Sequence, residues 1–156
     1  MRVLFVCTGN TCRSPMAAAI MRRALAARGQ TGVEVGSAGI DPWDGAPASE
    51  GALLVGLEHG LDLSAHRARR LTRELARSAD LILTMSAQHR ERAEALDGAG
   101  RTHLLGEYAG RSPADSEVSD PFGAELDAYR ATYRQLEALI EAAAARLAAG
   151  HPGEQR

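Results

Sequence analysis

Lysine is absent from this chain, since all 18 basic residues are arginine. A Walker A loop, G-x-x-x-x-G-K-[ST], needs a lysine for the nucleotide phosphates, so P-loop nucleotide binding is excluded. No G-x-G-x-x-G fingerprint of a dinucleotide-binding fold follows a predicted strand either. The sequence therefore predicts no nucleotide cofactor.

Cysteine is scarce, with only Cys7 and Cys12 in the chain. This pair makes neither a disulfide framework nor a C-x-x-C zinc site, and the five histidines are scattered, so we expect no metal. The net charge of −2 argues against a nucleic-acid partner, which usually requires a strongly basic domain. No apolar run approaches the roughly 18 residues of a membrane span. We therefore expect a cytoplasmic protein with no membrane partner.

Length and the order of the apolar segments limit the fold. At 156 residues and 45% apolar content, the chain can form one domain with a sizeable core. Short apolar strands alternate with helical segments, which predicts an α/β domain of βαβ units on a parallel sheet. The predicted strands are residues 2–7, 33–35, 80–85 and 102–105, and the predicted helices begin near residues 14, 49, 72, 86 and 124.

The last third of the chain carries the longest predicted elements. Residues 106–123 are rich in Gly, Pro, Ser and Asp and are expected to form a loop, which at this length is usually functional or mobile. A stripe of apolar residues over 124–149 favours a helix packed on the sheet over a dimerising coiled coil, so we expect a monomer. The predicted domain is 1–149, followed by a disordered tail over 150–156.

The loop from Cys7 to Ser14, between the first strand and the first helix, carries the chemistry. Helix N-termini and successive loop amides bind anions, and the C-x5-R spacing of Cys7 and Arg13 lets the amides between them surround a tetrahedral oxyanion. The guanidinium fork of Arg13 suits two of its oxygens. A phosphate bound there would lie above the Cys7 thiol and contact the loop residues Thr8, Gly9, Asn10, Thr11, Cys12 and Ser14.

The chain resembles the low-molecular-weight protein tyrosine phosphatase family. The resemblance rests on CTGNTCRSP at residues 7–15, on Asp120-Pro121 before the last helix, on Ser37-Ala38-Gly39, and on Ser64-x-His66-x-Ala68-Arg69. It covers nearly the whole chain and implies a three-layer, flavodoxin-like domain with a four-stranded parallel sheet and helices on both faces. It also implies that Ser37 and His66 support Asn10, a residue type that tolerates the left-handed backbone of a tight loop.

The loop residues also predict how Cys7 would react. The amide nest, the helix dipole, Arg13 and Ser14 are expected to lower the pKa of the Cys7 thiol. The thiolate would attack phosphorus and form a cysteinyl-phosphate intermediate. Cys12 has two open interpretations: a small buried apolar residue, or the partner of Cys7 in a reversible disulfide that protects the thiolate.

Asp120 is the predicted general acid and base. Pro121 favours an extended backbone before it, and Phe122 can shield its carboxyl group from water and contact the substrate. Asp115 and Glu117 are neighbouring alternatives, but neither precedes proline. Trp43, in the loop after the second strand, is expected either to form a pocket wall or to anchor that loop.

Thr11 bears on the choice of substrate. The tyrosine-specific branch of the family usually has a bulky aliphatic residue at this place, whereas Thr11 with Asp120-Pro-Phe-Gly123 looks like the bacterial protein arginine phosphatase branch. A polar Thr11 and the Asp120 carboxylate suit a guanidinium, so we expect phosphoarginine in proteins as the substrate and phosphotyrosine as the alternative. An arsenate reductase would need cysteines after Cys12, and a non-catalytic phosphate-binding module would be expected to lack Cys7, Arg13 or Asp120; neither is favoured.

Overall fold

A parallel sheet of four strands lies at the centre of the structure. The computed structural model describes residues 1–150, so the predicted tail over 150–156 lies outside the described residues except for its first residue. The strands are β1 (Arg2–Cys7), β2 (Glu34–Gly39), β3 (Leu81–Thr84) and β4 (Thr102–Leu104), and they pair in parallel in the order β2-β1-β3-β4. The predicted four-stranded parallel sheet is confirmed.

Helices cover both faces of this sheet. They are α1 (Arg13–Ala27), α2 (Glu50–Glu58), α3 (Arg73–Ser78), α4 (Ala87–Ala93), α5 (Leu105–Tyr108) and α6 (Leu126–Ala148). Side chains alternate along a strand. Val3 and Phe5 of β1 therefore join the core formed with α1, α2 and α6, while Leu4 and Val6 join a smaller core with Leu71 and α3. The result is the predicted three-layer α/β domain.

The last helix supplies much of the larger core. Tyr133, Leu136 and Ile140 of α6 are fully buried, and α6 packs against α1. The apolar stripe of α6 is therefore buried against other parts of the same chain, as expected for a helix packed on the sheet. Within residues 1–150, no helix combines the length and the apolar character that a membrane span requires.

The second strand is longer than predicted. Ser37-Ala38-Gly39, which lies beyond the predicted strand over 33–35, continues β2 in register with Phe5, Val6 and Cys7 of β1. Pairing with the central strand overrides the local preference of this small, glycine-containing segment. A Cβ at Gly39 would lie 2.5 Å from the Thr8 carbonyl oxygen, so the close approach of β2 to the Cys7 loop requires glycine.

Two other boundaries differ from the sequence prediction. α1 begins at Arg13, so Ser14 lies inside the helix and not at its start. The predicted loop over 106–123 contains most of α5 and a short 3-10 turn, Pro113–Asp115. The Gly106 amide donates to the Ser116 carbonyl oxygen at 3.1 Å, a contact between segments that short-range periodicity does not reveal.

Truncation of Ile140 tests the role of α6. Ile140→Ala should lower the free energy of unfolding by about 2–5 kcal/mol, because it leaves a cavity at a fully buried position. Leu57→Ala is the matched control, since Leu57 is 61% exposed on α2 and should change stability by less than about 0.5 kcal/mol. Urea denaturation followed by circular dichroism measures both values. Equal effects would contradict the packing described for α6.

Candidate active site

The Cys7–Arg13 loop lies where β1 ends and α1 begins, at the carboxyl edge of the sheet. Ligands of open α/β sheets bind at this edge. The loop turns at Asn10, whose φ of 57° is left-handed, as the sequence predicted for a tight loop. The Cys7 side chain is buried at its base, with 2% of the residue exposed.

The side chain of Asn10 joins the loop to three neighbouring segments. Its amide nitrogen donates to the hydroxyl oxygens of Ser14 at 2.8 Å and Ser37 at 2.9 Å. Its carboxamide oxygen accepts from the Arg69 backbone N–H at 3.0 Å. The His66 ring Nε2 donates to the Asn10 backbone carbonyl oxygen at 2.6 Å. Ser37 and His66 thus lie where the resemblance led us to expect them, and Arg69 is an additional contact.

Ser14 connects Asn10 to the Cys7 thiol. Its hydroxyl oxygen accepts from Asn10 and lies 2.9 Å from Cys7 Sγ, so its proton can point at the sulfur. Burial raises the pKa of the Cys7 thiol, while the hydrogen bonds from Ser14 and the charge of Arg13 act to lower it. Ser14 and Arg13 therefore act in the predicted direction, but withdrawal from water opposes them and the net direction is upward.

The Arg13 guanidinium is held by the segment that contains Val118 and Asp120. The residue is 6% exposed, and its Nη1 donates to the Val118 carbonyl oxygen at 3.0 Å. Its Nη2 lies 3.4 Å from the Asp120 carboxylate, which brings the predicted acid to the phosphate loop. The other Asp120 oxygen accepts from the Phe122 backbone N–H at 3.1 Å.

Phe122 does not shield Asp120 from water in the way that the sequence suggested. Phe122 is 70% exposed and the Asp120 side chain is 49% exposed. The backbone turns here, with the Ala124 amide donating to the Pro121 carbonyl oxygen at 2.9 Å, and this turn leaves the ring at the surface. The two alternatives have other partners: Asp115 accepts from the Ser112 hydroxyl and Glu117 from the Ala87 backbone N–H.

A cavity of about 600 Å³ opens above Cys7. Trp43 and Phe122 lie on its rim, and Trp43, at 87% exposure, is a wall of the opening and not a buried anchor. The side chains of Asn10 and Ser14 lie behind the loop and do not line the cavity. The lining residues are Cys7, Thr8, Gly9, Thr11, Cys12, Arg13, Asp41, Trp43, Asp120 and Phe122 together with residues 46–50.

The Cys12 side chain contacts two residues outside the loop. It is 4% exposed, and its Sγ lies 3.2 Å from the Ser49 hydroxyl and 3.4 Å from the Tyr129 hydroxyl. Both cysteines are free thiols in this structure. Burial, followed by the contact with Cys12, raises the pKa of Tyr129 to about 12, so its hydroxyl stays neutral at ordinary pH.

Sequence reasoning missed His89 on α4, as it missed Arg69 and the lining residues Asp41 and Glu50. The His89 Nε2 lies 2.9 Å from the Thr8 hydroxyl and its Nδ1 lies 3.0 Å from the Ser86 hydroxyl. The sequence shows only that His89 lies three residues after Ser86, at the start of a predicted helix. This spacing does not indicate which residues the His89 ring contacts. Within residues 1–150, no group of three or more His, Cys, Asp or Glu side chains could hold a metal ion.

Known proteins resemble this chain over nearly its whole length. Residues 2–152 match the family model of the low molecular weight phosphotyrosine protein phosphatases. The chain belongs to this family. A protein-arginine-phosphatase of Geobacillus stearothermophilus is 40% identical over 94% of this chain and 95% of its own. The low molecular weight protein-tyrosine-phosphatase Etp of Escherichia coli is 37% identical over 93% of each chain.

Solved structures of family members share the fold. The arginine phosphatase YwlE, solved as a cysteine-to-serine mutant with its active-site serine phosphorylated, superposes with a TM-score of 0.86 and is 36% identical. The match covers 97% of this chain and 98% of that one. These phosphatases have the same flavodoxin-like fold, which confirms the fold class predicted from the sequence.

Removal of the Ser14 hydroxyl tests its effect on Cys7. Because the hydrogen bonds of Ser14 lower the pKa of the Cys7 thiol, Ser14→Ala should raise it further. A hydrogen bond to a charged group contributes about 1.5–3 kcal/mol, so alkylation of Cys7 by iodoacetamide at pH 7 should slow roughly tenfold or more. Mass spectrometry of the Cys7 peptide, measured against pH, gives the rate.

Ser49→Ala is the control for this measurement, because Ser49 contacts Cys12 and not Cys7. Ser49→Ala should not change how the rate of Cys7 alkylation depends on pH. An unchanged profile in Ser14→Ala, or one displaced to lower pH, would contradict the assigned contact.

Proposed function

We propose that this protein is a phosphatase that hydrolyses phosphoarginine residues in proteins through a cysteinyl-phosphate intermediate. The observation that carries the proposal is the cavity above Cys7, in which Thr11 and Asp120 line the space that a substrate side chain would occupy. Cys7 is the nucleophile, Arg13 binds the phosphoryl group, and Asp120 is the general acid and base. The protein needs no metal or cofactor for these steps.

The first step transfers the phosphoryl group to sulfur. Cys7 loses its proton to solvent, and the thiolate, stabilised by Ser14 and Arg13, attacks phosphorus in line with the leaving group. The S–P bond forms as the P–N bond of phosphoarginine breaks, and Asp120 gives its proton to the departing guanidine nitrogen. The loop amides and Arg13 hold the equatorial oxygens throughout, which favours the transition state.

The second step releases phosphate. Asp120, now a carboxylate, takes a proton from a water molecule that attacks the cysteinyl phosphate. The P–O bond forms as the S–P bond breaks, which returns Cys7 to the thiolate and Asp120 to its protonated form. The 49% exposure of the Asp120 side chain is consistent with this step, because the attacking water has to reach it.

The charge of the cavity supports a guanidinium substrate. Among the lining residues Arg13 is the single cation, whereas Asp41, Glu50 and Asp120 bring three carboxyl groups to the lining. A phosphorylated arginine carries negative oxygens at one end and a delocalised cation next to them. The phosphoryl group would therefore meet Arg13 and the loop amides while the guanidinium faces carboxylates and the Thr11 hydroxyl.

Phosphotyrosine remains the second candidate substrate. The rings of Trp43 and Phe122 lie on the rim of the cavity, where they can pack on a phenyl ring. The same rings can also stack on a guanidinium, so they favour neither substrate by themselves. An arsenate reductase stays disfavoured because no cysteine follows Cys12 to relay a disulfide.

We further propose that the protein acts as a monomer on phosphorylated proteins in the cytoplasm, with residues 1–149 as its catalytic domain. The buried apolar face of α6 supports the monomer, because Tyr133, Leu136 and Ile140 are already covered by the rest of the chain. The cavity reaches the surface through an exposed rim that includes Trp43 and Phe122, which suits a side chain presented by a protein.

Replacement of the nucleophile tests the mechanism. Cys7→Ser should abolish turnover of p-nitrophenyl phosphate, because a serine hydroxyl at this site is a far weaker nucleophile than a thiolate. Calorimetric binding of inorganic phosphate should persist, since the loop amides and Arg13 remain. Cys12→Ser is the matched control and should retain thiol-dependent turnover. Turnover in Cys7→Ser would show that the nucleophile lies elsewhere.

A single substitution tests the substrate assignment. Wild-type protein should hydrolyse phosphoarginine peptides with a higher kcat/KM than phosphotyrosine peptides of matched sequence. Thr11→Ile should reduce this preference by about ten- to a hundredfold, because it replaces a polar contact by an aliphatic wall. Thr8→Val, a change of similar size in the same loop, controls for general damage and should not alter the ratio. A wild-type preference for phosphotyrosine would favour the second candidate.

A further inference from the structure

His89 is a buried histidine in direct contact with the phosphate-binding loop. The residue is 1% exposed and lies in the first turn of α4. Both ring nitrogens have partners, Nε2 at 2.9 Å from the Thr8 hydroxyl and Nδ1 at 3.0 Å from the Ser86 hydroxyl. The mechanism proposed above gives this ring no chemical step, so its contacts call for another explanation.

The surroundings of His89 keep its ring neutral. Burial, followed by the charge of Arg13, lowers its pKa to about 4, although the carboxylates of Asp120 and Glu117 act to raise it. A neutral ring has one nitrogen that donates and one that accepts. The ring can therefore join the Thr8 and Ser86 hydroxyls into a short chain of hydrogen bonds without adding a charge to the site.

Thr8 is the loop residue that follows Cys7, and His89 fixes its side chain. The Thr8 carbonyl oxygen accepts from the Asp41 backbone N–H at 2.9 Å, on the β2 side of the loop. Its hydroxyl points instead to His89, on the β3 side. Asn10 is attached on the β2 side through Ser37. The bond from Thr8 to His89 thus provides a second attachment of the loop, on the side opposite to the Asn10 contacts.

The start of α4 also supports the segment that carries the acid. The Met85 carbonyl oxygen accepts from the Val118 amide at 2.8 Å, and Glu117 accepts from the Ala87 amide at 2.8 Å. Val118 in turn accepts from Arg13. The junction of β3 and α4 therefore contacts both Thr8 and the segment that leads to Asp120.

We propose that His89 is a positioning residue of the active site: its neutral ring, oriented by Ser86, fixes the Thr8 hydroxyl and with it the first turn of the oxyanion-binding loop. Amides bind an oxyanion strongly only when their directions are held in advance. The affinity of the loop for phosphate therefore depends on His89. This inference rests on the proposed function only in that the loop binds a phosphoryl group.

Calorimetric titration with inorganic phosphate tests this role. His89→Phe removes both ring hydrogen bonds, and Thr8→Val removes the loop partner; each should weaken phosphate binding about tenfold. The double variant should bind no more weakly than either single one, because both changes break the same contact. His89→Gln can restore a polar group near the position of Nε2 and should recover most of the affinity.

The control is His59→Phe, and thermal melting is recorded for every variant. His59 stacks on Tyr133 with ring centroids 3.9 Å apart, in the contact between α2 and α6, so its replacement should leave phosphate affinity unchanged. If His89→Phe does not fold, Thr8→Val tests the same bond with His89 in place.

Three results would overturn the positioning role of His89. The first is that His89→Phe or Thr8→Val binds phosphate as tightly as the wild-type protein. The second is that the loss of affinity in the double variant equals the product of the two single losses, and the third is that His59→Phe loses as much affinity as His89→Phe. Absence of phosphate binding by the wild-type protein would instead overturn the proposed function, so the two failures are distinguishable.

Discussion

The buried side chain of Asn10 is the contact on which the rest of the site depends. Its left-handed backbone turns the loop back toward α1, a conformation that few residues other than glycine adopt readily. The carboxamide is fully buried, and both its nitrogen and its oxygen have partners. An unpaired amide at this position would be destabilising, so the closed loop depends on β2 and on the Arg69 segment. Formation of the site therefore requires most of the fold.

The order of the strands explains how one short loop receives support from so many segments. β1 is an inner strand, with β2 on one side and β3 on the other, and its carboxyl end faces the loops that follow both neighbours. The β2 side contributes Ser37, and the segment after β3 contributes His89. In an open parallel sheet the carboxyl edge is where connections leave in different directions and a cavity can form. The site thus depends on the strand order as well as on the loop sequence.

Features encoded over short distances could be predicted from the sequence. The strand–loop–helix unit around Cys7, the parallel sheet and the long last helix all follow from local patterns, and the resemblance added Ser37 and His66. Features that depend on distant contacts could not be predicted. His89 meets Thr8 across 81 positions of the chain, and Ser37 belongs to a strand only because β1 pairs with it. Gly123, whose φ is 79°, is a local signal for the turn from Pro121 to Ala124, but it does not indicate that the Phe122 ring stays exposed.

Burial of Cys7 has two opposing consequences, and this is why its pKa differs from the expectation. Removal of the sulfur from water disfavours the thiolate, and this effect exceeds the opposing contributions of Ser14 and Arg13. The same removal of water strengthens the interaction of Arg13 and the loop amides with a phosphoryl group, since charges interact more strongly where the effective dielectric constant is low. A more exposed thiol would ionise more readily but would lie in a site that binds the oxyanion less firmly. The position of Cys7 at the base of the loop therefore places its sulfur where Arg13 and the loop amides act strongly, and the Ser14 hydroxyl partly offsets the effect of burial on its ionisation.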